Sequence, residues 1–188
     1  RAGGDGELIK TITENGVIIA QTPTAQNKKP DAARRGFAAI GPIDPSSYVF
    51  SWPGAIRPLE SLSDVSAGVG VAATTPEIDG VVRRMPLLVR IADNTYPALP
   101  LEAIRVIGED ISYQVKTNDY GIESVRVPKF SAVDTDARGR IWLSWNSAFN
   151  RLDATEIDER VKGKIVVDRK STRLNSSHSS VSRMPSSA

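Results

Sequence analysis

Residues 75–91, Thr-Pro-Glu-Ile-Asp-Gly-Val-Val-Arg-Arg-Met-Pro-Leu-Leu-Val-Arg-Ile, join a turn signal, two adjacent arginines and an apolar run. Together they dictate a tight turn that feeds an extended strand. Pro76 presets its φ, Asp79 can accept a hydrogen bond from backbone just beyond it, and Gly80 tolerates positive φ without a Cβ clash. At a period of two, Val81, Arg83, Met85, Leu87, Val89 and Ile91 share one face, and Arg84 and Arg90 point the other way. Arg83 on the apolar side is expected to need a partner, and Asp79 across the turn is the nearest carboxylate. Arg84 on the opposite side presents a fixed fork of donors suited to carboxylate or phosphate, so it is the candidate ligand or partner contact. The alternative is two arginines that snorkel to water. Asp79, Gly80, Arg83, Arg84 and Pro86 form the structural motif in either reading.

Asp93-Asn94 gives a second turn signal. Residues 95–106 read as a helix with Leu101, Ile104 and Ile107 as its apolar positions. That order of turn, strand, turn and helix, in the wording PEIDGVVRRMPLLVRIADNTYPALPLEAIRV, resembles the second class of the CHASE family, the cyclase- and histidine-kinase-associated sensory extracellular domains. Three further segments are similar to the family. They are Leu59–Leu62 leading to Ser66–Val71, the turn and strand of Val133–Leu143, and the Lys-Gly-Lys-Ile-Val run within 161–167. The resemblance covers most of residues 5–167. It implies an α/β domain, three-layered with a mixed β-sheet and truncated at both ends. It also implies a module outside the cytoplasmic membrane of a bacterial receptor, joined by flanking membrane helices to a cytoplasmic nucleotide cyclase, histidine kinase or serine/threonine kinase. The stimulus is a small molecule or a protein, the full-length receptor is expected to be a homodimer, and the fragment itself is expected to carry no enzyme activity.

The remaining segments fit an α/β chain. Residues 6–16 read as a short amphipathic helix with Leu8, Ile9 and Ile12 as its stripe, closed by Asn15-Gly16. Val17–Ala20 is an unbroken apolar strand, the pattern of a strand covered on both faces in a parallel sheet. Residues 21–47 are rich in Pro, Asn, Lys, Asp and Ser and read as a long surface connection, with a short strand at Tyr48–Phe50 after it. Residues 111–115 and 122–127 are strands around Asn118–Gly121, each with one wet face. In residues 140–145, Trp142 lies opposite Ile141 and Leu143 and is the second candidate ligand contact. A weak helix over 153–160 leads to a strand at 165–167.

The last residues read differently. Asp168–His178, Asp-Arg-Lys-Ser-Thr-Arg-Leu-Asn-Ser-Ser-His, matches the in-frame translation of a sequencing-library adapter, and Ser182–Ala188 matches the rest of such an adapter. Residues 168–188 are therefore expected to be a non-native tail and 1–167 the partial sensory domain. The whole chain carries 24 basic and 22 acidic residues. The tail holds four of those basic residues and one acidic residue, which leaves residues 1–167 near neutrality. No basic stripe interleaved with aromatics points to nucleic acid. The only histidine, His178, lies in the tail and there is no cysteine. Residues 1–167 therefore lack the side chains for zinc sites, Cys or His nucleophile systems and a Ser-His-Asp triad. No apolar run reaches the length needed to span a bilayer, about 20 residues.

Candidate chemistry is sparse. Asp134 and Asp136 loosely resemble a calcium loop, but the ligand ladder is incomplete, and the simpler expectation is a turn whose Asp side chains bond local backbone. Gly3, Gly4 and Gly6 lack the strand and the Lys–Ser/Thr pair of a phosphate cradle. Glu77 and Asp79 could pair for glycoside cleavage, although nothing fixes their separation. No cofactor and no metal is expected. Besides the sensor, two other classes remain open: a solute-binding module without signalling output, and an extracytoplasmic hydrolase using carboxylates.

Overall fold

The computed structural model describes residues 2–145. Residues 1–143 cluster as one compact unit, to which every element below belongs. The helix expected over 153–160, the strand at 165–167 and the tail lie outside the described residues.

The chain is α/β with mixed sheets. Helix α1 (Ala2–Glu14) leads into β1 (Ile18–Thr24). Helix α2 (Glu60–Val65) leads into β5 (Gly68–Val71), where the sequence places them. β1 and β5 pair in parallel with Ile18 opposite Gly68 and Gln21 opposite Val71. β4 (Gly54–Ile56) closes the other side of β1 antiparallel over Thr22–Thr24 only. Ile18, Ile19 and Ala20 are consequently half-buried rather than enclosed on both faces, and the wholly buried residue of β1 is Gln21.

Residues 21–47 are not one surface connection. β1 continues to Thr24, and β2 (Phe37–Ile40) pairs in parallel with β9 (Tyr113–Asn118). Phe37 stacks on Tyr113 with ring centroids 5.0 Å apart. The strand is made by a partner more than seventy residues away, which local composition does not report.

β3 (Phe50–Trp52) lies parallel to β7 (Leu88–Ile91), and β7 turns through Ala92-Asp93 into the antiparallel β8 (Asn94–Pro97). The run from Val81 to Ile91 is not one strand. It is β6 (Arg84–Pro86), a bend at Leu87, then β7. The Leu87 N–H donates to Gly139 O at 2.9 Å and its carbonyl accepts from Ala98 N–H at 2.8 Å. The face assignment carried across this run therefore fails at the bend. The helix also does not begin at Thr95. Tyr96 precedes Pro97, which disfavours helical φ,ψ, so 94–97 stays extended and α3 spans Leu99–Ile107. On α3, Leu101 is buried, Ile104 and Ile107 are exposed, and Glu102 and Arg105 take the inward positions.

β10 (Gly121–Arg126) joins β9 by the expected hairpin, with a register irregularity between Ile122 and Ser124, and β11 (Val133–Asp134) adds to its edge. β12 (Arg140–Trp142) pairs antiparallel with β6. One apolar core gathers Leu88, Leu101, Tyr113, Val115 and Val125; another gathers Val71, Val89, Ile91 and Tyr96. β7 alternates between them, sending Leu88 to the first and Val89 and Ile91 to the second.

Candidate functional site: an arginine clasp between two turns

The turn at 76–81 forms as its residue types require. Gly80 N–H donates to Glu77 O at 2.9 Å, Val81 N–H donates to the Asp79 side chain at 3.1 Å, and Gly80 has φ +78°. A second turn repeats the device. Asp136 Oδ1 accepts from the backbone N–H of Arg138 and of Arg140, both at 3.0 Å, and Gly139 has φ +72°. The pairing of β6 with β12 brings the two turns together and sets Arg84 opposite Trp142.

Arg83 and Asp79 form the expected ion pair, at 2.7 Å, but both are half-exposed, at 45% and 46%. Arg83 is therefore not turned toward the core. The inward arginine is Arg84, which shares its side of β6 with the buried Pro86. Its Nε and Nη2 donate to the two oxygens of Glu77 at 2.7 and 2.8 Å, and its Nη1 donates to Asp136 Oδ2 at 3.1 Å. Its guanidinium sits 5.2 Å from the Trp142 ring centroid. The ring itself is exposed. Asp136 Oδ2 also accepts from Arg140 Nε at 2.7 Å, and the guanidinium groups of Arg138 and Arg140 both lie over the Phe50 ring.

These contacts determine the chemistry available. The hydrogen bonds from Arg84 hold the Glu77 carboxyl below its ordinary range. Those from Arg83, and then the Val81 N–H, bring Asp79 down to about 2. Burial works to raise Asp136, but the backbone and guanidinium of Arg140 and the Arg138 N–H outweigh it and leave this carboxyl lowered as well. A glycosidase-type pair needs one carboxyl kept protonated near neutral pH; Glu77 and Asp79 are both held ionised. Nor are the Asp136 oxygens available to a cation, since each accepts two donors from arginine backbone or guanidinium groups. Asp134 is exposed on β11. Among the described residues no group of three or more His, Cys, Asp or Glu is placed to hold a metal ion. Arg84 is committed to two carboxylates and one ring, a clasp that fixes two turns to one another.

A second polar cluster went unseen in the sequence. Arg105 donates to both oxygens of Glu102 at 2.9 Å, to Asp110 O at 2.7 Å and to Ala67 O at 3.2 Å, and the Tyr113 hydroxyl donates to Glu102. Glu102 and Arg105 are almost wholly buried and Tyr113 is wholly so. Burial, then the Glu102 carboxylate, raises the Tyr113 hydroxyl far above its ordinary value. The i,i+3 spacing of Glu102 and Arg105 is the one signal that could have found this pair.

The fold is thus an α/β domain whose polar clusters hold its own turns and elements in place. The CHASE2 domain family matches residues 1–167, and the chain belongs to that family, one of extracytoplasmic sensory domains. No curated protein and no solved structure matches the chain. Among the described residues no helix is long and apolar enough to cross a membrane.

Proposed function

We propose that this chain is the stimulus-sensing part of a bacterial transmembrane receptor. In the full-length protein its state is passed through flanking membrane helices to a cytoplasmic nucleotide cyclase or protein kinase. The observation that carries the reading is the family match over 1–167, which spans every described element. A stimulus acts on such an output only by binding two states of the domain, or of a dimer of it, with different affinity. The polar clusters supply rigidity to the units that would move against one another: the Arg84 clasp ties β6 to the 136–139 turn, and the Glu102–Arg105 pair ties α3 to the start of β5.

Sequencing the DNA that continues the reading frame on both sides tests this directly. Membrane spans followed by a cyclase or kinase module are expected. A closed, secreted frame without spans would overturn the reading in favour of a solute-binding protein or hydrolase.

A further inference from the structure

A cleft of about 310 Å³ opens between residues 29–32, helix α2 and the β7–β8 turn. Its wall carries both signs of charge: Asp31, Glu60, Asp64 and Asp93 against Lys29 and Arg57. Arg57 is 3.8 Å from Glu60, a loose and exposed pair that a ligand can reorganise.

Asp31, on the wall of this cleft, and Gln21, packed behind it, each have a buried side-chain group without a partner. Asp31 is firmly placed: its N–H donates to Gln21 Oε1 at 3.0 Å, its Oδ1 accepts from Ala32 N–H at 2.8 Å, and its carbonyl accepts from the Tyr96 hydroxyl at 2.7 Å. Its Oδ2 is nevertheless enclosed without a donor. Gln21, wholly buried behind it, has its side-chain Nε2–H₂ without an acceptor. Such groups carry their desolvation cost uncompensated. One is an acceptor bearing negative charge and the other is a neutral donor, and they belong to residues in direct hydrogen-bonded contact. At the rim Ala92 takes φ +51°, a left-handed backbone that a non-glycine residue holds only against strain.

We propose that this cleft binds a small zwitterion of the α-amino-acid type. Its ammonium group is received by Asp31 and Asp64, and its carboxylate by Arg57 and Lys29. A simple amine would leave the donors unanswered, and a simple carboxylic acid would meet an uncompensated Asp31. The volume suits a free amino acid. This deepens the sensor reading and rests on it for its biological meaning, but binding is read on the chain itself and signalling is not.

Calorimetric titration of the 188-residue protein with each of the twenty amino acids, and with ethylamine and propionate as half-ligands, is the test. At least one amino acid should bind, with neither half-ligand doing so at the same concentration. Asp64→Asn, on the exposed side of α2, should weaken that binding about tenfold or more without altering the thermal midpoint of the free protein, as expected for loss of a charged hydrogen-bond partner. Asp31→Asn should abolish it. If no amino acid binds, if ethylamine or propionate binds as tightly, or if Asp64→Asn binds unchanged, the assignment is wrong. A bound amino acid in a chain whose gene lacks membrane spans would keep the site and overturn the receptor; spans and an output module without binding would do the reverse.

Discussion

Arg84 lies directly opposite Trp142 across the β6–β12 pair, and its guanidinium rests 5.2 Å from the indole ring while donating to both oxygens of Glu77. Arg84 and Trp142, the two residues that stood out as ligand contacts in the sequence, thus contact each other. The two carboxylates are the larger part of this arrangement, because both Arg84 and Glu77 are about one-fifth exposed and joined by two parallel bonds.

The adjacent arginines should therefore separate in their effect on stability, in the order opposite to the one their strand pattern suggests. Arg84→Ala removes three hydrogen bonds and leaves Glu77 and Asp136 facing a gap; Arg83→Ala removes one half-exposed pair. Urea unfolding should show the larger loss of midpoint for Arg84→Ala, and Arg84→Lys, which cannot make the bidentate contact, should recover little of it. Equal losses would mean that the clasp does not hold the turns.

Removing one member of the buried pair should be costly. Arg105→Ala leaves the Glu102 carboxylate enclosed with only the Tyr113 hydroxyl as donor, a change that costs about 3 to 5 kcal/mol where an ion pair is buried. The combination Glu102→Leu, Arg105→Leu and Tyr113→Phe removes all the side-chain polar groups at once and should lose less than Arg105→Ala alone. Equilibrium urea unfolding of the two proteins decides between a buried charge penalty and simple loss of contacts.

How far the sequence reveals this domain depends on the distance over which each signal acts. Gly80 and Gly139 mark turns set within four residues, and both turns are where the sequence places them. Helix α2 and strand β5 lie where the resemblance to the family implies them. β2 does not, because Phe37–Ile40 becomes a strand only by pairing with β9, and the composition around it is that of a loop. Period two continued through Leu87 puts Arg83 on the core side and Arg84 away from it, and it fails because the Leu87 N–H and carbonyl turn to Gly139 and Ala98. Local alternation puts Trp142 on the side of β12 opposite Ile141, but nothing local reveals that Arg84 stands across from it. Glu102 and Arg105 were hidden by an opposite error: charged residues are read as outward, and here each satisfies the other inside.

The turn carboxylates set an acid limit on stability. The folded Asp79 carboxyl lies at about 2, against 3.8 in the unfolded chain, and Glu77 and Asp136 are lowered from their ordinary values too. A carboxyl depressed on folding stabilises above its unfolded pKa, and that contribution is lost as pH falls through the folded value. The urea midpoint should be level from neutral pH down to about 5 and then decline between about pH 4 and pH 2. Asp79→Asn should make this decline shallower without changing where it begins. A midpoint that falls between pH 7 and pH 5 would point to groups other than these.

Two glycines make the last comparison. At Gly70, on the buried strand β5, an added Cβ would lie 2.5 Å from Leu99 Cα and 3.0 Å from Leu99 N, backbone atoms at the start of α3 that cannot step aside singly. Gly70→Ala should thus push α3 off the sheet and cost about 1 to 3 kcal/mol, the range for overfilling a packed interior. At Gly36, ahead of β2, nothing lies within 4 Å of the same atom and φ is not left-handed. Gly36→Ala should leave stability unchanged or raise it by about 0.4 to 1 kcal/mol, because only the unfolded chain loses freedom. Thermal and urea unfolding of the two variants side by side measures the closeness of α3 to β5, and a tolerated alanine at Gly70 would show that the helix does not seat against this strand.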